Sequence, residues 1–156
     1  ELLVAAPPGM GAIVLGKFLA AGGFLVMLLT LTTPCVLLLE VFGRPDPGEL
    51  LSGYLGLLLM GGLYLGSGIL ASTIAGSQTV AFLLTLFFWI LVGLIRVGAG
   101  TWGAGLADLL FAVEPYGRLQ DFTTGLVDTA NIVYFLAGTA MFLLIATAVL
   151  ELGRRR

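Results

Sequence analysis

The chain has 156 residues, of which 59% are hydrophobic and 10% charged, with a mean hydropathy of +1.11. Soluble domains carry roughly 45–50% apolar and about 25% charged residues, so this composition reads as one membrane domain with no room for a separate soluble one. The net charge of −2 without a basic patch, the single Cys35 and the absence of histidine argue against nucleic-acid binding, an internal disulfide and the usual zinc ligand sets.

Residues 1–16 are apolar but broken by Pro7, Pro8, Gly9 and Gly11, which predicts a short helix or turn at the membrane surface rather than a crossing. Glu1 follows no initiator Met and opens no signal-peptide pattern, so a fragment of a longer protein is expected. Phe18–Leu39 is an uninterrupted apolar run between Lys17 and Glu40, long enough for a first span. Thr30, Thr32, Thr33 and Pro34 cluster inside it; a kink near Pro34 is expected, with hydroxyls satisfying the carbonyls that the proline releases.

After the turn formers Gly43–Gly48, a second span is predicted over 51–75. Ser52 and Gly56, Gly62 and Gly66, and Gly68 and Ser72 are each four apart, which stacks small residues on one face and lets a neighbouring backbone approach. This marks it as the packing helix. A short turn at Gly76–Gln78 leads to a bulky third span, 79–95, predicted to form an antiparallel hairpin with the second.

The pattern changes over 96–131. Leu106–Val113 is apolar but too short to cross, which suggests a re-entrant or interfacial piece. Beyond Pro115, the residues Leu119, Phe122, Leu126 and Val127 recur at helical spacing opposite Gln120, Asp121 and Thr124, predicting an amphipathic helix lying flat. Asp128 or Thr129 is placed to cap a fourth span, 132–150. The expected fold is all-α: four transmembrane helices, with a re-entrant or amphipathic helical pair on the outer face between spans three and four. Arg154–Arg156 and Lys17 favour a cytoplasmic location for both ends.

Several motifs fail on context. Gly11–Lys17 has the GxxxxGK spacing of a nucleotide-binding loop, but Phe18 stands where a Mg²⁺-binding Ser or Thr is required, and no strand precedes. Gly98–Gly103 fits GxGxxG but follows a predicted span. Ser67 and Ser72 have no histidine to serve as base. The carboxylates Asp108, Glu114, Asp121 and Asp128 do not share a helical face, so solvated loop acids and a helix cap are expected rather than a metal site. A lipid-modifying enzyme using that acidic connector and a passive membrane anchor or assembly subunit stand as alternatives.

Four places resemble one family. Glu1-Leu2-Leu3 with Pro7, then Ile13–Phe18 (IVLGKF), are similar to the cytoplasmic segment that precedes the third span in permease subunits of type-2 ATP-binding-cassette transporters, in the branch related to gliding-motility permeases. Gly53–Leu58 through Ser72 resembles their glycine-studded fourth span. Pro115, Phe122, Gly125, Asp128 and Tyr134 resemble the pattern SPxxHFxxFxxGxIDxxxxxYY, and Glu151 with the terminal arginines resembles a closing ESRRWR. Gly9–Ala12 and Leu119 depart from it, replacing polar residues and a frequent histidine.

The resemblance implies a transport subunit of a bacterial inner membrane with no ATPase site and no cofactor of its own. It would be partnered by an ATP-binding ABC ATPase subunit, a second permease chain and membrane lipids. It implies a coupling segment at Glu1, Leu2, Pro7, Gly16 and Lys17, and two spans missing before Glu1. Glu114, Pro115, Phe122, Gly125 and Asp128 would then form an outer gate, beside the packing residues Gly56, Gly62, Gly66, Gly68 and Ser72.

Overall fold

The computed structural model describes residues 9–43, 46–98 and 114–154, with the side chains of 40, 95–98 and 154 outside that description. Among the described residues every regular element is helical. The order is α1 Met10–Leu31, α2 Thr33–Gly43, α3 Pro47–Ile74, α4 Gln78–Gly98, α5 Pro115–Thr123 and α6 Thr129–Arg154. Three helical stretches are long and apolar enough to cross a membrane: Met10–Gly43, Pro47–Ile74 and Thr129–Gly153. The described apolar part of α4, Gln78–Leu94, is shorter.

Helix α1 begins at Met10 rather than at Phe18, so residues 10–16 belong to the apolar helix and not to a separate surface turn. Gly11 and Gly16 do not stop it, because a helical glycine costs only about 1 kcal/mol. The break comes at Thr32, just before Pro34, which has no N–H to offer the Thr30 carbonyl. Thr30 and Thr32 hydroxyls donate to the carbonyls of Val26 and Leu29, both at 2.6 Å, and the Thr32 hydroxyl also lies 2.6 Å from the Tyr54 hydroxyl of α3. The expected interruption is therefore present, and it is pinned to the neighbouring helix. With 34 residues, α1 and α2 together exceed the roughly 20 needed to cross a bilayer.

Helix α3 has the clearest local signals. Asp46 caps it by accepting from the Gly48 N–H at 2.8 Å, Pro47 opens it and Glu49 sits in its first turn, where the helix dipole favours an acid. It is also the centre of the bundle, touched by α1, α4, α5 and α6. Of its most apolar window 28% is buried, against 6% for α1–α2 and 11% for α6. Leu59, Leu63, Phe122 and Phe135 form the buried core where α3, α5 and α6 meet.

Close approaches fix the helix directions. Gly61 and Gly62 of α3 face Leu25 and Phe18 of α1, whereas Thr32 meets Tyr54, so α1 and α3 run antiparallel. Gly66 faces Thr139 and Phe142 while Gly56 faces Phe122, so α6 runs in the same sense as α3. Trp89 of α4 meets Tyr64 and Ser67, completing the predicted α3–α4 hairpin through a turn at Ala75–Ser77. Helix α1 thus begins, and α6 finishes, at the end of the bundle opposite α5.

Candidate functional site

The site is the end of the bundle where α5 docks onto the first half of α3. Pro115 opens α5, and the helix stops within three turns. Its stop is a Schellman arrangement: the Leu126 N–H reaches the Asp121 carbonyl at 3.0 Å and the Gly125 N–H reaches the Phe122 carbonyl at 3.3 Å. Gly125 adopts φ +80°, a left-handed conformation in which a Cβ is strained. Because the chain reverses there, Leu126 and Val127 are not on the helix at all; they are exposed, contrary to the amphipathic pattern read from the sequence. Leu119 and Phe122 do lie on it, and Phe122 is fully buried.

Phe122 is held from two sides. A Cβ built on Gly56 would lie 2.8 Å from Phe122 Cβ and 3.0 Å from Leu119 Cδ1, so only glycine lets α5 come this close to α3. One turn earlier on α3, the buried Ser52 hydroxyl donates to the Phe122 carbonyl at 2.6 Å. That carbonyl belongs to the last turn of α5 and also accepts the Gly125 N–H at 3.3 Å, so Ser52 supplies its second hydrogen bond. On the α6 side the Phe122 and Phe135 rings meet at 6.3 Å between centroids. Gly125 abuts Glu49, whose Cγ lies 3.4 Å from where a Cβ would be.

A chain of polar side chains closes the same end. Arg118 Nη1 donates to Asn131 Oδ1 at 3.0 Å, and Asn131 Nδ2 donates to Asp121 Oδ2 at 2.8 Å. Asn131 is only 4% exposed, so both halves of its amide are satisfied within the protein. The Arg118 guanidinium lies 4.4 Å above the Tyr134 ring, and Glu114 is close enough to act on Tyr134 electrostatically. Glu114 corrects the sequence reading: it is a buried residue, 4% exposed, and not a solvated loop acid. Pro115 forces its backbone into the extended region, and Glu114 borders a cavity between α3, α4 and the start of α5. Asp128 behaves as expected, accepting from the Ala130 N–H at 2.9 Å to cap α6.

The packing residues divide. Gly56, Gly62 and Gly66 face side chains of α5, α1 and α6, whereas nothing lies within 4 Å of a Cβ on Gly68, and Ser72 is exposed. Gly68 and Ser72 instead line an open cleft beside α4. Spacing on α3 alone did not reveal two further close approaches, Gly61 against Leu25 and Gly138 of α6 against Leu63. Gly16 and Lys17 stand exposed on α1, and Glu1, Leu2 and Pro7 lie outside the described residues, as do Asp108 and the predicted re-entrant run. Among the described residues no group of carboxylates, cysteine or histidine could hold a metal ion, and every buried side-chain polar atom has a partner. Ser52, Arg118 and Asn131 were not singled out for these roles by the sequence; the signal available was polar residues flanking an otherwise apolar helix start.

Compared with protein-family models, curated proteins and solved structures, the chain matches none.

Proposed function

We propose that the chain is a membrane-spanning permease subunit of an ATP-driven transporter of the type-2 ATP-binding-cassette class, in which α5 is an outer closing piece hinged at Pro115 and Gly125. The observation that carries this reading is the docking of α5 on α3. A short helix closes one end of the bundle through Phe122, which seats on Gly56 and Phe135, one hydroxyl bond to α3 and the polar bonds of Arg118 and Asp121 to Asn131 of α6, and it is flanked by a proline and a left-handed glycine. Such a piece can leave and return with little rearrangement of the long helices. The residues that resemble the family pattern, Pro115, Phe122, Gly125, Asp128 and Tyr134, are the ones that shape this end.

Under this proposal α4 is the third of four spans, 96–131 is a re-entrant region on the outer face, and both ends of the chain face the cytoplasm of a bacterium. The continuity of α1 from Met10 through Lys17 to Leu31 supports a coupling role for its exposed start, because a rigid helix carries a push at Gly16 and Lys17 along its whole length. A separate ATPase would deliver that push, and a second permease chain would complete the pathway. The test is to purify the tagged chain from its native membrane with mild detergent and assay ATP hydrolysis in the eluate. The proposal expects a co-purifying ATPase that is lost with Lys17→Glu, a variant that leaves the apolar helix intact. Its retention in that variant removes the coupling role, and its absence from the parent protein counts against the transporter reading as a whole.

A further inference from the structure

We propose that the cleft walled by α3, α4 and α6 holds one acyl chain of an anionic phospholipid, whose phosphate is held by the arginines that close α6. The cleft has a volume of about 340 Å³ and runs along α3 from Ser67 to Ile74, faced by Leu84 and Phe88 of α4 and Phe142 of α6. At 1.5 Å per residue that stretch is about 10 Å long. A second helix, about 10–12 Å across with its side chains, would need roughly 800 Å³ or more over the same length. The cleft therefore admits a chain of methylenes and not a span of another protein.

The walls select an apolar occupant. Two hydroxyls line the cleft, and the proton of each is already engaged: Ser67 donates to the Tyr64 carbonyl at 2.8 Å and Thr85 to the Ala81 carbonyl at 2.9 Å. Ser67 Oγ also accepts from Trp89 Nε1 at 2.9 Å. The other lining side chains are leucine, isoleucine, alanine and phenylalanine, so no side chain in the cleft has a donor left for a polar ligand.

Charge at one end of the cleft selects the headgroup. Gly66 faces Thr139 and Phe142, so Ile74, eight residues further along α3, is level with about residue 150 of the parallel α6. Helix α6 continues to Arg154, about 6 Å past the end of the cleft, and Arg155 and Arg156 come next in the chain. Residues 151–156 thus carry three cations against one acid, Glu151, whereas Asp46, Glu49, Glu114, Asp121 and Asp128 stand with Arg118 at the other end of the bundle. A lipid phosphate is drawn to the first end, where each arginine near an anionic surface favours it about fivefold; a zwitterionic headgroup has no net charge to gain from them. The inference needs the helices to cross a bilayer and nothing of the transporter reading.

Trp89 reports on the cleft, since its ring meets that of Phe88 at 5.2 Å between centroids and its Nε1 bonds Ser67. It is one of two tryptophans, so a Trp102→Phe background isolates its fluorescence, which bromine on a lipid chain quenches on contact. The chain would be reconstituted in bilayers of phosphatidylcholine and phosphatidylglycerol in which one or the other is dibrominated in its acyl chains. At equal mole fraction, brominated phosphatidylglycerol should quench Trp89 as a lipid favoured at least about fivefold over brominated phosphatidylcholine. The triple variant Arg154→Gln, Arg155→Gln, Arg156→Gln should lose that preference. Ala71→Phe fills the cleft from α3 and should cut quenching by both lipids, with circular dichroism confirming that the helices persist. The arginine variant lies at the chain end and decides the matter even where Ala71→Phe does not fold. Equal quenching by the two lipids, or a preference that survives loss of the arginines or filling of the cleft, would overturn the proposal. Quenching by neither would mean that a second copy of the chain covers the cleft, and would overturn it likewise.

Discussion

The two halves of α3 carry the same small-residue spacing and put it to different use. In the longer part nearer α5, up to Gly66, Ser52 and Gly56 receive Phe122, and Gly62 and Gly66 receive side chains of α1 and α6. In the other half Gly68 and Ser72 line an open cleft of about 510 Å³ at the α3–α4 turn. An i, i+4 pair of small residues therefore gives a helix a face that permits close approach, but the partner decides whether the approach happens. At the first half the partner is a large side chain on an element whose ends are fixed, Phe122 between Pro115 and Gly125. At the second half nothing is presented.

Phe122→Ala empties the junction of α3, α5 and α6, and a loss of about 3–5 kcal/mol is expected for a buried aromatic. Reversible unfolding in bicelles measures it, and hydrogen exchange over 115–123 should become fast well before the long helices open. Gly56→Ala places a methyl 2.8 Å from Phe122 Cβ, an atom too near its own backbone to swing aside, and should cost about 1–3 kcal/mol. Ser52→Ala removes the interhelical donor from the Phe122 carbonyl, which keeps the Gly125 N–H, and should cost about 0.5–1.5 kcal/mol, with the loss confined to α5 protection.

Asp128→Ala removes the α6 cap and should cost about 1 kcal/mol, read as fraying of the first turn of α6 by hydrogen exchange. The smallest effect belongs to the open half. Gly68→Ala adds a methyl to empty space and is expected to be neutral or to stabilise by about 0.5–1 kcal/mol through helix propensity. A destabilisation there comparable to that of Gly56→Ala would mean that the two halves are alike after all.

How much of this was legible in the sequence depends on the range of the interaction. Asp128 before α6 was read directly, since capping is decided within one turn, whereas Asp46 with Pro47 carried the same signal but passed for a plain turn, so α3 starts at Pro47 and not at 51. The break before Pro34 and the α3–α4 hairpin were also read directly. Leu126 and Val127 continued an apolar spacing that Gly125 interrupts, and spacing carries no information about a left-handed turn. Glu114 looked like a solvated acid because Tyr64 and Trp89, which border the same cavity, lie far away in the chain. The two carbonyl and amide partners that hold the α5 end, Ser52 to Phe122 and Asn131 to Asp121 and Arg118, are likewise set by the fold. Gly56 was identified as a packing residue, but its partner could not be named until α5 was placed.

The central claim is that α5 is seated on α3 by contact between Gly56 and Phe122, and a double-mutant cycle tests it most directly. Unfolding free energies would be measured for the parent protein, Gly56→Ala, Phe122→Ala and the double variant. If the residues touch, the added methyl has room once the ring is gone, so Gly56→Ala should cost about 1–3 kcal/mol alone and close to nothing in the Phe122→Ala background. Additivity within about 0.3–0.5 kcal/mol, the behaviour of distant and independent sites, would contradict the docking of α5 on the glycine face of α3.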